Sequence, residues 1–534
     1  MSSLLPLHAV DMSHAYGDKM VLSGVDLLAN PGEPVGVVGE NGVGKSTLLR
    51  LVAGIEEADS GLVRRPSDLG YLAQEMVAPP AATVAAVLAE ALAPLHDAVR
   101  RLEQLAHELD EPGAADAYAA TLLWAQTHDA WDADRRALLA SQQLGVSHID
   151  ASRTVGELSG GERTRLALAA VITRRPECVV LDEPTNHLDD DAIAFLENFL
   201  RELPGVVIVA SHDRVFLDRV CAVIVDLDEG HFGVDGQGGN RYTGGFTTYL
   251  EHKAAARRRW EAAFAEQQDD LAALRVAART TARQVAHNRP PRDGDKYIYN
   301  FKGGNVQATI RRRVRDAEQR IAVMERRPIP KPPEKLSLSH PLTTEDRTGG
   351  GLVVSLRDVS VPERLRLNRL DISAGQHLLV TGPNGSGKST LLQVVSGRVQ
   401  PASGLVRVSA RRIGLLPQEV NFVGPDRTPT QVYDDALPAG AIPLSHLGLL
   451  PPRELSRPVG VLSIGQQRRL ALAILVAGRP DLLLLDEPTN HISLTLASEL
   501  EEALGRSPGT VMVASHDRWL RRRWGGQVLH LAVH

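Results

Sequence analysis

Long apolar stretches are missing from this sequence of 534 residues. No uninterrupted apolar run approaches the roughly 18–20 residues that a membrane-spanning helix requires. The N-terminus, MSSLLPLHAV, also lacks the basic region followed by a longer apolar region that marks a secretory signal. These absences argue against a membrane or secreted protein, and we expect a cytoplasmic one.

Cysteine is also scarce. Cys178 lies at the start of an apolar stretch and Cys221 lies within another. Isolated thiols in such surroundings are typical of core packing. They argue against a disulfide or a metal-binding pair.

Net charge is small, at −6, but it is unevenly distributed. Residues 250–335 hold 20 Lys and Arg against 11 Asp and Glu, a balance of +9. The remainder of the chain therefore carries −15. Such segregation indicates that one part of the chain meets a polyanionic partner.

The sequence contains one set of five motifs twice, in the same order. The first set consists of GENGVGKST (Gly39–Thr47), Gln74, LSGGE (Leu158–Glu162), VVLDEP with Asp182 and Glu183, and His212. The second consists of GPNGSGKST (Gly382–Thr390), Gln418, LSIGQ (Leu462–Gln466), LLLLDEP with Asp486 and Glu487, and His516. The first two motifs recur after 343 and 344 residues and the last three after 304, so the first copy carries 40 extra residues before its LSGGE. Such a repeat predicts two similar domains.

Each glycine-rich loop follows an apolar strand and precedes a helix, which is the context that confirms a P-loop. The glycines let backbone N–H groups close on phosphates, and the helix N-terminus adds its positive dipole end. We predict that Lys45 and Lys388 reach the β and γ phosphates of ATP. Ser46 and Ser389 are predicted to supply hydroxyls to Mg²⁺.

Each copy also places an Asp–Glu pair at the end of an apolar strand. In a nucleotide site the aspartate holds the Mg²⁺ shell, and the glutamate orients or deprotonates the attacking water. Taken alone, such a pair could be two ordinary loop acids, but the complete set of motifs favours the catalytic role. The predicted catalytic residues are Glu183, Glu487, His212 and His516, and the predicted metal ligands are Ser46, Gln74, Asp182, Ser389, Gln418 and Asp486.

The LSGGE motif separates this chain from other P-loop ATPases, and here the sequence resembles the ATP-binding-cassette family. The resemblance implies that the signature of one cassette covers the ATP held by the phosphate loop of the other. Two composite sites are then expected, with Lys45, Asp182 and Glu183 facing Ser463 and Gly465, and Lys388, Asp486 and Glu487 facing Ser159 and Gly161. The residues predicted to bind ATP are Tyr16, Gly39, Asn41, Gly42, Gly44, Lys45, Ser46, Thr47, Gln74, Ser159, Gly160 and Gly161 in the first copy, and Gly382, Asn384, Gly385, Gly387, Lys388, Ser389, Thr390, Gln418, Ser463, Gly465 and Gln466 in the second.

Three differences between the two copies bear on the predicted ATP sites. Tyr16 lies where such cassettes place an aromatic ring on adenine, whereas SVPERLRL (360–367) offers none. Ile464 replaces a signature glycine, and Ser493 stands where the first copy has Asp189. Both glutamates are present, so we expect both sites to hydrolyse ATP, at rates that can differ.

The segment between the copies has helical periodicity. Trp260, Phe264, Leu271 and Leu274 recur at helix spacing, and apolar residues from 310 to 324 step alternately by 4 and 3. This pattern predicts an antiparallel helical hairpin with a coiled-coil seam. An arm of roughly 40 residues would be on the order of 60 Å long.

The predicted tip of this hairpin, residues 287–307, is dense in cations and aromatic rings. Cations bind phosphates without reading sequence, and aromatic rings stack on unpaired bases. The alternative is that the rings close the tip and the arginines are only solvated, but the density of charge favours RNA. The candidate residues are Arg289, Arg292, Lys296, Tyr297, Tyr299, Phe301, Lys302, Arg311, Arg312 and Arg313.

Two cassettes, a basic helical linker and no membrane segment together resemble the ABC-F family of ribosome-associated ATPases. The resemblance implies an α/β fold of two P-loop cassettes, residues 1–248 and 341–534, joined by a helical-hairpin linker, residues 249–340. An arm-like insertion is expected within about 77–157, and the alternative is that its 40 extra residues are only scaffold. ATP and Mg²⁺ are the implied cofactors.

The resemblance also implies that the ATP-bound protein is a monomer that enters the tRNA exit site of the ribosome. The partners would be 23S rRNA, P-site tRNA and large-subunit proteins, with no membrane and no obligate protein partner. The Ala/Arg-rich composition suggests a high-GC bacterium, and KYIYNFKGGNVQ followed by RRRVRDAEQRI favours the members that protect ribosomes from antibiotics. A housekeeping translation factor is the alternative, and the ATPase subunit of an exporter is a third.

Overall fold

The computed structural model describes residues 4–39, 42–73, 78–186, 188–228, 241–284, 351–383, 385–418, 420–438, 440–489 and 494–532, with shorter stretches between 312 and 343. The predicted site residues that lie outside the described residues are Asn41, Gln74, Asn384, Arg289, Arg292, Lys296, Tyr297, Tyr299, Phe301, Lys302, Arg311 and Arg313. The chain divides into two compact units, one formed by Met1–Asp228, Arg241–Thr247 and Lys335–His534 and the other by Glu229–Asn240 and Thr248–Glu334. The linker boundaries given above stay predictions.

The first motif copy lies on nine strands and seven helices within the described residues. The strands are β1 (Leu7–Tyr16), β2 (Lys19–Ala29), β3 (Val35–Val38), β4 (Ser60–Arg64), β5 (Leu69–Leu72), β6 (Cys178–Asp182), β7 (Val206–Ala210), β8 (Val223–Asp226) and β9 (Arg241–Thr243). The helices are α1 (Lys45–Ala53), α2 (Val84–His107), α3 (Ala114–Thr127), α4 (Ala133–Gln143), α5 (Gly160–Arg174), α6 (Asp190–Glu202) and α7 (Arg214–Val220).

Two sheets organise this copy. An antiparallel sheet has the order β2-β1-β4, and a six-stranded sheet has the order β5-β6-β7-β3-β8-β9, in which only β9 runs antiparallel. Every residue of β3, β6, β7 and β8 is buried, as expected for parallel strands covered on both faces. Cys178 and Cys221 are buried and unpaired, which confirms their role in packing.

A three-helix layer made of α2, α3 and α4 holds the extra residues of the first copy. Its own small core contains Leu95, Leu102 and Ala125. Buried His128 ties this layer to the cassette, because its Nε2 lies 2.7 Å from Asp68 Oδ2 just before β5. Burial works to raise the pKa of Asp68, but the hydrogen bond with His128 and the charge of Arg174 hold it below its usual range.

A single helix, α8 (Phe246–Gln284), follows β9 and confirms the helical prediction for the start of the linker. Residues around Glu325 and Pro330, later in the chain, lie alongside α8 within the second unit. Trp260 Nε1 donates to Pro330 O at 2.9 Å, and Arg275 pairs with Glu325 at 2.8 Å. The residue number rises from Trp260 to Arg275 in α8, while it falls from Pro330 to Glu325 in the segment that contacts it. The two segments are therefore antiparallel, as predicted.

The second motif copy repeats the first without the three-helix layer. Its strands are β10 (Leu352–Val361), β11 (Leu365–Ser373), β12 (His377–Thr381), β13 (Ser403–Val408), β14 (Ile413–Leu416), β15 (Leu482–Asp486), β16 (Thr510–Ala514) and β17 (Gln527–His530). Its helices are α9 (Lys388–Val395), α10 (Pro429–Ala436), α11 (Ile464–Gly478), α12 (Leu494–Gly505) and α13 (Arg518–Arg523). The antiparallel sheet has the order β11-β10-β13 and the parallel sheet the order β14-β15-β16-β12-β17.

Within the described ranges, no helix combines the length and apolarity needed to cross a bilayer.

Candidate nucleotide sites

The phosphate loops connect a central parallel strand to a helix in both copies. The first runs from the end of β3 to Lys45, the first residue of α1, and the second runs from the end of β12 to Lys388, the first residue of α9. The residue before each helix has a positive φ, 109° at Gly44 and 91° at Gly387. A Cβ at Gly387 would lie 2.2 Å from the carbonyl oxygen of Arg364, so only glycine fits there.

The lysine of each loop is buried and folded over its own loop. Lys45 Nζ donates to Gly39 O at 2.8 Å, and Lys388 Nζ donates to Gly382 O at 2.8 Å and to Pro383 O at 3.0 Å. Burial lowers the pKa of Lys388, while the charges of Glu487 and Asp486 work in the opposite direction. The loop therefore holds an ammonium group where phosphates are predicted to bind.

The predicted acids lie at the ends of β6 and β15, against the phosphate loops. Ser46 hydrogen-bonds to Asp182, and Ser389 hydrogen-bonds to Asp486. Burial raises the pKa of both aspartates, and those hydrogen bonds work against the rise. Each predicted hydroxyl ligand of Mg²⁺ is thus in contact with its predicted carboxylate ligand.

These donors fit Mg²⁺ held together with a nucleotide. Within the described residues, no cluster of three or more His, Cys, Asp or Glu side chains could form a protein-only metal site. Mg²⁺ commonly binds through one or two carboxylates, substrate phosphates and water. Asp486 Oδ1 is buried and has no hydrogen-bond partner among the described residues. A buried carboxylate oxygen without such a partner is expected where a metal ion or a water molecule binds.

The catalytic candidates Glu183 and Glu487 follow these aspartates in the left-handed region, with φ of 51° and 47°. Their backbone N–H groups donate to Ala210 O and Ala514 O at 2.8 Å, which ties each strand end to the next strand. Strained backbone of this kind is common at functional sites. Burial raises the pKa of Glu183 to about 8, with Lys45 opposing and Asp182 adding to the rise.

Each glutamate contacts the histidine predicted to act with it. His212 N–H donates to Glu183 Oε2 at 3.1 Å, and His212 Nε2 lies 3.4 Å from Oε1. In the second copy, His516 Nδ1 lies 2.9 Å from Glu487 Oε1. That hydrogen bond raises the pKa of His516, and burial opposes the rise.

One difference between the copies was missed by sequence reasoning. Buried Arg468 donates to the backbone carbonyls of Asp486 and Glu487 at 3.1 and 2.9 Å. Thr164, which lies 304 residues earlier, donates to Gly160 O within its own helix instead. Alignment of the two copies would have shown the Thr-to-Arg change, although not its target.

The signature motifs begin helices. Ser159 caps α5 and Ser463 caps α11, and each forms a capping box with Glu162 or Gln466. The predicted signature residues are therefore placed at helix N-termini, which favour anions. Ile464 is exposed, so the side chain that replaces a signature glycine is accommodated without displacing the helix.

Tyr16 ends β1 and is half-exposed. Its hydroxyl donates to Glu56 Oε2 at 2.6 Å and accepts from Arg50 at 2.7 Å, which links it to the helix that follows the phosphate loop. In the second copy the corresponding strand, β10, ends at Val361, and the role of Tyr16 as an adenine platform stays a prediction.

Charged side chains also join the two cassettes. Arg214 pairs with Glu501 and with Asp517, the latter at 3.2 Å. Arg518 pairs with Glu197 at 2.7 Å and with Asp213 at 3.0 Å. The residues that follow the two predicted catalytic histidines are therefore in direct contact across the cassettes.

Comparisons with known proteins agree with this geometry. A family model described as ABC transporter matches residues 22–186 and 365–490, more than half of the chain. The chain is 39% identical to the tylosin resistance ATP-binding protein TlrC of Streptomyces fradiae, over 99% of this chain and 97% of that protein. It is 31% identical to the energy-dependent translational throttle protein EttA of Mycobacterium tuberculosis, over 95% of this chain and 88% of that protein. The chain belongs to the ABC-F family.

Solved structures share the fold. A complex of the archaeal ribosome recycling factor aABCE1 with the ribosomal stalk protein aP1 gives a TM-score of 0.57 at 18% identity, over 96% of this chain and 85% of that chain. The structure called RNase-L Inhibitor gives a TM-score of 0.54 with the same coverage. At such identity the likeness concerns the fold alone.

The predicted α/β fold with two cassettes is confirmed for this ABC-F protein, and so is ATPase activity. The structure brings together the lysine, serine, aspartate, glutamate and histidine of each copy. The individual roles of these residues stay predictions. In the linker, Arg312 is helical and exposed, whereas the whole predicted tip, residues 287–307, lies outside the described residues.

Proposed function

We propose that this ABC-F ATPase binds ribosomes in its ATP-bound state, enters the tRNA exit site and protects the large subunit from antibiotics that act near the peptidyl transferase centre. The observation that carries the proposal is a basic helical hairpin attached to an acidic pair of ATP-binding cassettes. TlrC, whose name describes tylosin resistance, matches nearly the whole chain.

The hairpin supplies a means of reaching RNA. Its first arm, α8, contains 39 residues and is therefore on the order of 58 Å long. Contacts between the arms, such as Gln267 Oε1 accepting from Ile329 N–H at 2.8 Å, hold the two arms together. A charge of +9 on residues 250–335, against −15 elsewhere, directs the linker toward polyanionic RNA and the cassettes away from it.

The ATP sites supply the switch. In the proposed closed state, Ser463 and Gly465 cover the ATP held by Lys45, and Ser159 and Gly161 cover the ATP held by Lys388. Helix N-termini at both signatures would then add N–H groups and positive dipole ends to the phosphates.

Hydrolysis would reopen the cassettes. Glu183 and Glu487 would take a proton from the attacking water, and the adjacent histidines would hold the carboxylates by the contacts described above. Ser46 with Asp182, and Ser389 with Asp486, would hold Mg²⁺, which neutralises charge on the β and γ phosphates when bound.

Expression in a drug-sensitive bacterium tests the proposal. Strains carrying the wild-type chain, the chain with Glu183→Gln and Glu487→Gln, or no insert are compared for inhibitory concentrations of macrolides, lincosamides and other large-subunit antibiotics, tylosin included. We expect the wild type alone to raise the inhibitory concentration of at least one drug. Protection by the hydrolysis-deficient chain would contradict the requirement for turnover.

A second function is supported by the likeness to EttA, whose name describes a translational throttle. A wild-type chain that raises no inhibitory concentration but changes the rate of drug-free translation would favour this housekeeping role. Ribosome fractions separate both from the exporter alternative, because an exporter subunit would sediment with membranes.

A further inference from the structure

Six charged side chains form a cluster where the two cassettes meet, within the first compact unit. We call it the cross-cassette cluster, and its members are Glu197, Asp213, Arg214, Glu501, Asp517 and Arg518. The members from the first cassette recur in the second after 304 residues each. The cluster therefore has the approximate two-fold relation of two like surfaces in contact.

Each arginine reaches across to the other cassette. Arg214, which is 2% exposed, donates to Glu501 and Asp517. Arg518 donates to Glu197 at 2.7 Å and to Asp213 Oδ2 at 3.0 Å. Charges at such depth interact strongly and are costly to leave unpaired.

Each aspartate of the cluster uses one carboxylate oxygen to cap a helix and the other to accept from an arginine of the other cassette. Asp213 Oδ1 accepts from the backbone N–H groups of Val215 and Phe216 at 2.9 and 3.0 Å and thereby caps α7. Its Oδ2 accepts from Arg518 of the other cassette. Asp517 likewise caps α13 with Oδ1 and accepts from Arg214 with Oδ2.

These aspartates adjoin the predicted catalytic histidines. We call His212–Arg214 and His516–Arg518 the histidine loops. His212 N–H donates to Glu183 Oε2, and His516 N–H donates to Glu487 Oε2 at 3.3 Å. Arg518 thus fixes Asp213, which follows His212, and Arg214 fixes Asp517, which follows His516. Each histidine loop also contacts the glutamate of its own ATP site.

We propose that Arg518 is a positioning residue for the first ATP site and Arg214 for the second, and that this exchange couples hydrolysis at the two sites. The proposal rests on the proposed catalytic roles of Glu183 and Glu487. A movement of the loop His516–Arg518, for example, withdraws Arg518 from Asp213 of the first cassette. The same movement shifts Asp517, which accepts from Arg214 of the first cassette. Each site therefore senses the loop of the other.

The chain offers a matched control at the same interface. Arg521 also spans the cassettes, donating to Asp190 at 2.7 and 2.8 Å. Neither of these hydrogen bonds goes to a histidine loop, and Asp190 is an exposed residue. Loss of this pair removes a cross-cassette contact without removing a partner of Asp213 or Asp517.

The experiment measures ATP turnover of the full-length protein at one site at a time. Glu487→Gln leaves the first site as the hydrolysing one, and Glu183→Gln leaves the second. Arg518→Met, Arg518→Lys and Arg521→Met are added to each background, and kcat, KM for ATP and nucleotide binding are recorded.

We expect Arg518→Met to lower kcat at the first site by about tenfold while KM changes by less than about twofold. The second site should lose much less, because both partners of Arg518 belong to the first cassette. Arg518→Lys should recover most of the lost turnover, and Arg521→Met should change neither site. Arg214→Met should give the reciprocal pattern.

Equal losses at both sites, or the same loss from Arg521→Met, would show that the cluster only holds the cassettes together and would overturn the proposal. Unchanged kcat in Arg518→Met would overturn it as well. Wild-type turnover in the chain carrying both glutamine substitutions would instead refute the proposed bases. In that case, each single substitution is made in the otherwise wild-type chain. A lower ATP turnover in Arg214→Met and in Arg518→Met, but not in Arg521→Met, would still support coupling between the two ATP sites.

Discussion

Glu183 gives a stability prediction whose sign is opposite to that of most point substitutions, which destabilise the folded protein. This side chain is 9% exposed, and burial raises its pKa to about 8 from 4.5. The folded protein therefore binds the proton of Glu183 more tightly than the unfolded chain does. The stabilising contribution of the protonated group is complete below pH 4.5 and is lost as pH rises through about 8.

The size of the effect follows from the pKa difference. Ionising a carboxyl that titrates at about 8 rather than 4.5 costs at most roughly 5 kcal/mol. Water entry and local relaxation reduce that limit, and we expect Glu183→Gln to gain about 2 kcal/mol at pH 8.5. For a cassette of this size, that gain raises Tm by roughly 4–8 °C.

Calorimetry of nucleotide-free protein in EDTA at pH 6 and pH 8.5 measures the effect. The gain from Glu183→Gln should be larger at pH 8.5. Glu487→Gln serves as the matched comparison, since Glu487 accepts from the Ser515 hydroxyl at 3.2 Å and contacts His516, so its replacement should give no comparable gain. A Glu183→Gln protein that melts at or below the wild-type Tm at pH 8.5 would refute this reasoning.

Four further predictions address chemistry and binding. Replacing Glu183 and Glu487 together by Gln should lower phosphate release by roughly 10²–10⁴, and wild-type release would show that neither is the base. Arg468→Thr installs the residue that the first copy has at this position. In a Glu183→Gln background it should lower ATP turnover by about tenfold, because the charge-assisted hydrogen bonds to the backbone behind Glu487 are lost. An unchanged rate would contradict that role of Arg468. Neutralising Arg311, Arg312 and Arg313 should flatten the salt dependence of ribosome sedimentation by about one slope unit per lost phosphate contact, with ATPase activity in the absence of ribosomes little changed. Deleting residues 287–307 should abolish drug protection but preserve ATP-dependent ribosome binding, and retained protection would exclude the tip as the acting segment.

Local chemistry made the core of each ATP site predictable from sequence. The turn from the strand into the helix requires a positive φ, which glycine adopts readily and other residues rarely do, and Gly44 and Gly387 both have it. The hairpin was predictable for a similar reason. Apolar side chains at alternating steps of 3 and 4 form one stripe along a helix that is typical of a coiled-coil seam, and Arg275 and Glu325 pair across the two segments.

Contacts that depend on how separate elements dock were not predictable. Arg468 resembles any solvated arginine near a helix N-terminus until the helix is placed behind the end of β15. Arg214 and Arg518 acquire their role only when the cassettes meet. Their side-chain partners lie about 300 residues away, a separation at which neither hydrophobic periodicity nor motif spacing carries information.

Binding of a labelled macrolide to purified ribosomes shows whether the protein releases a bound drug. Drug-bound ribosomes are incubated with the wild-type chain, with or without ATP, and with the chain that lacks residues 287–307, and the retained drug is counted. We expect the retained drug to fall only when the wild-type chain and ATP are both present. Retention that stays constant while the wild-type chain binds those ribosomes with ATP would contradict it.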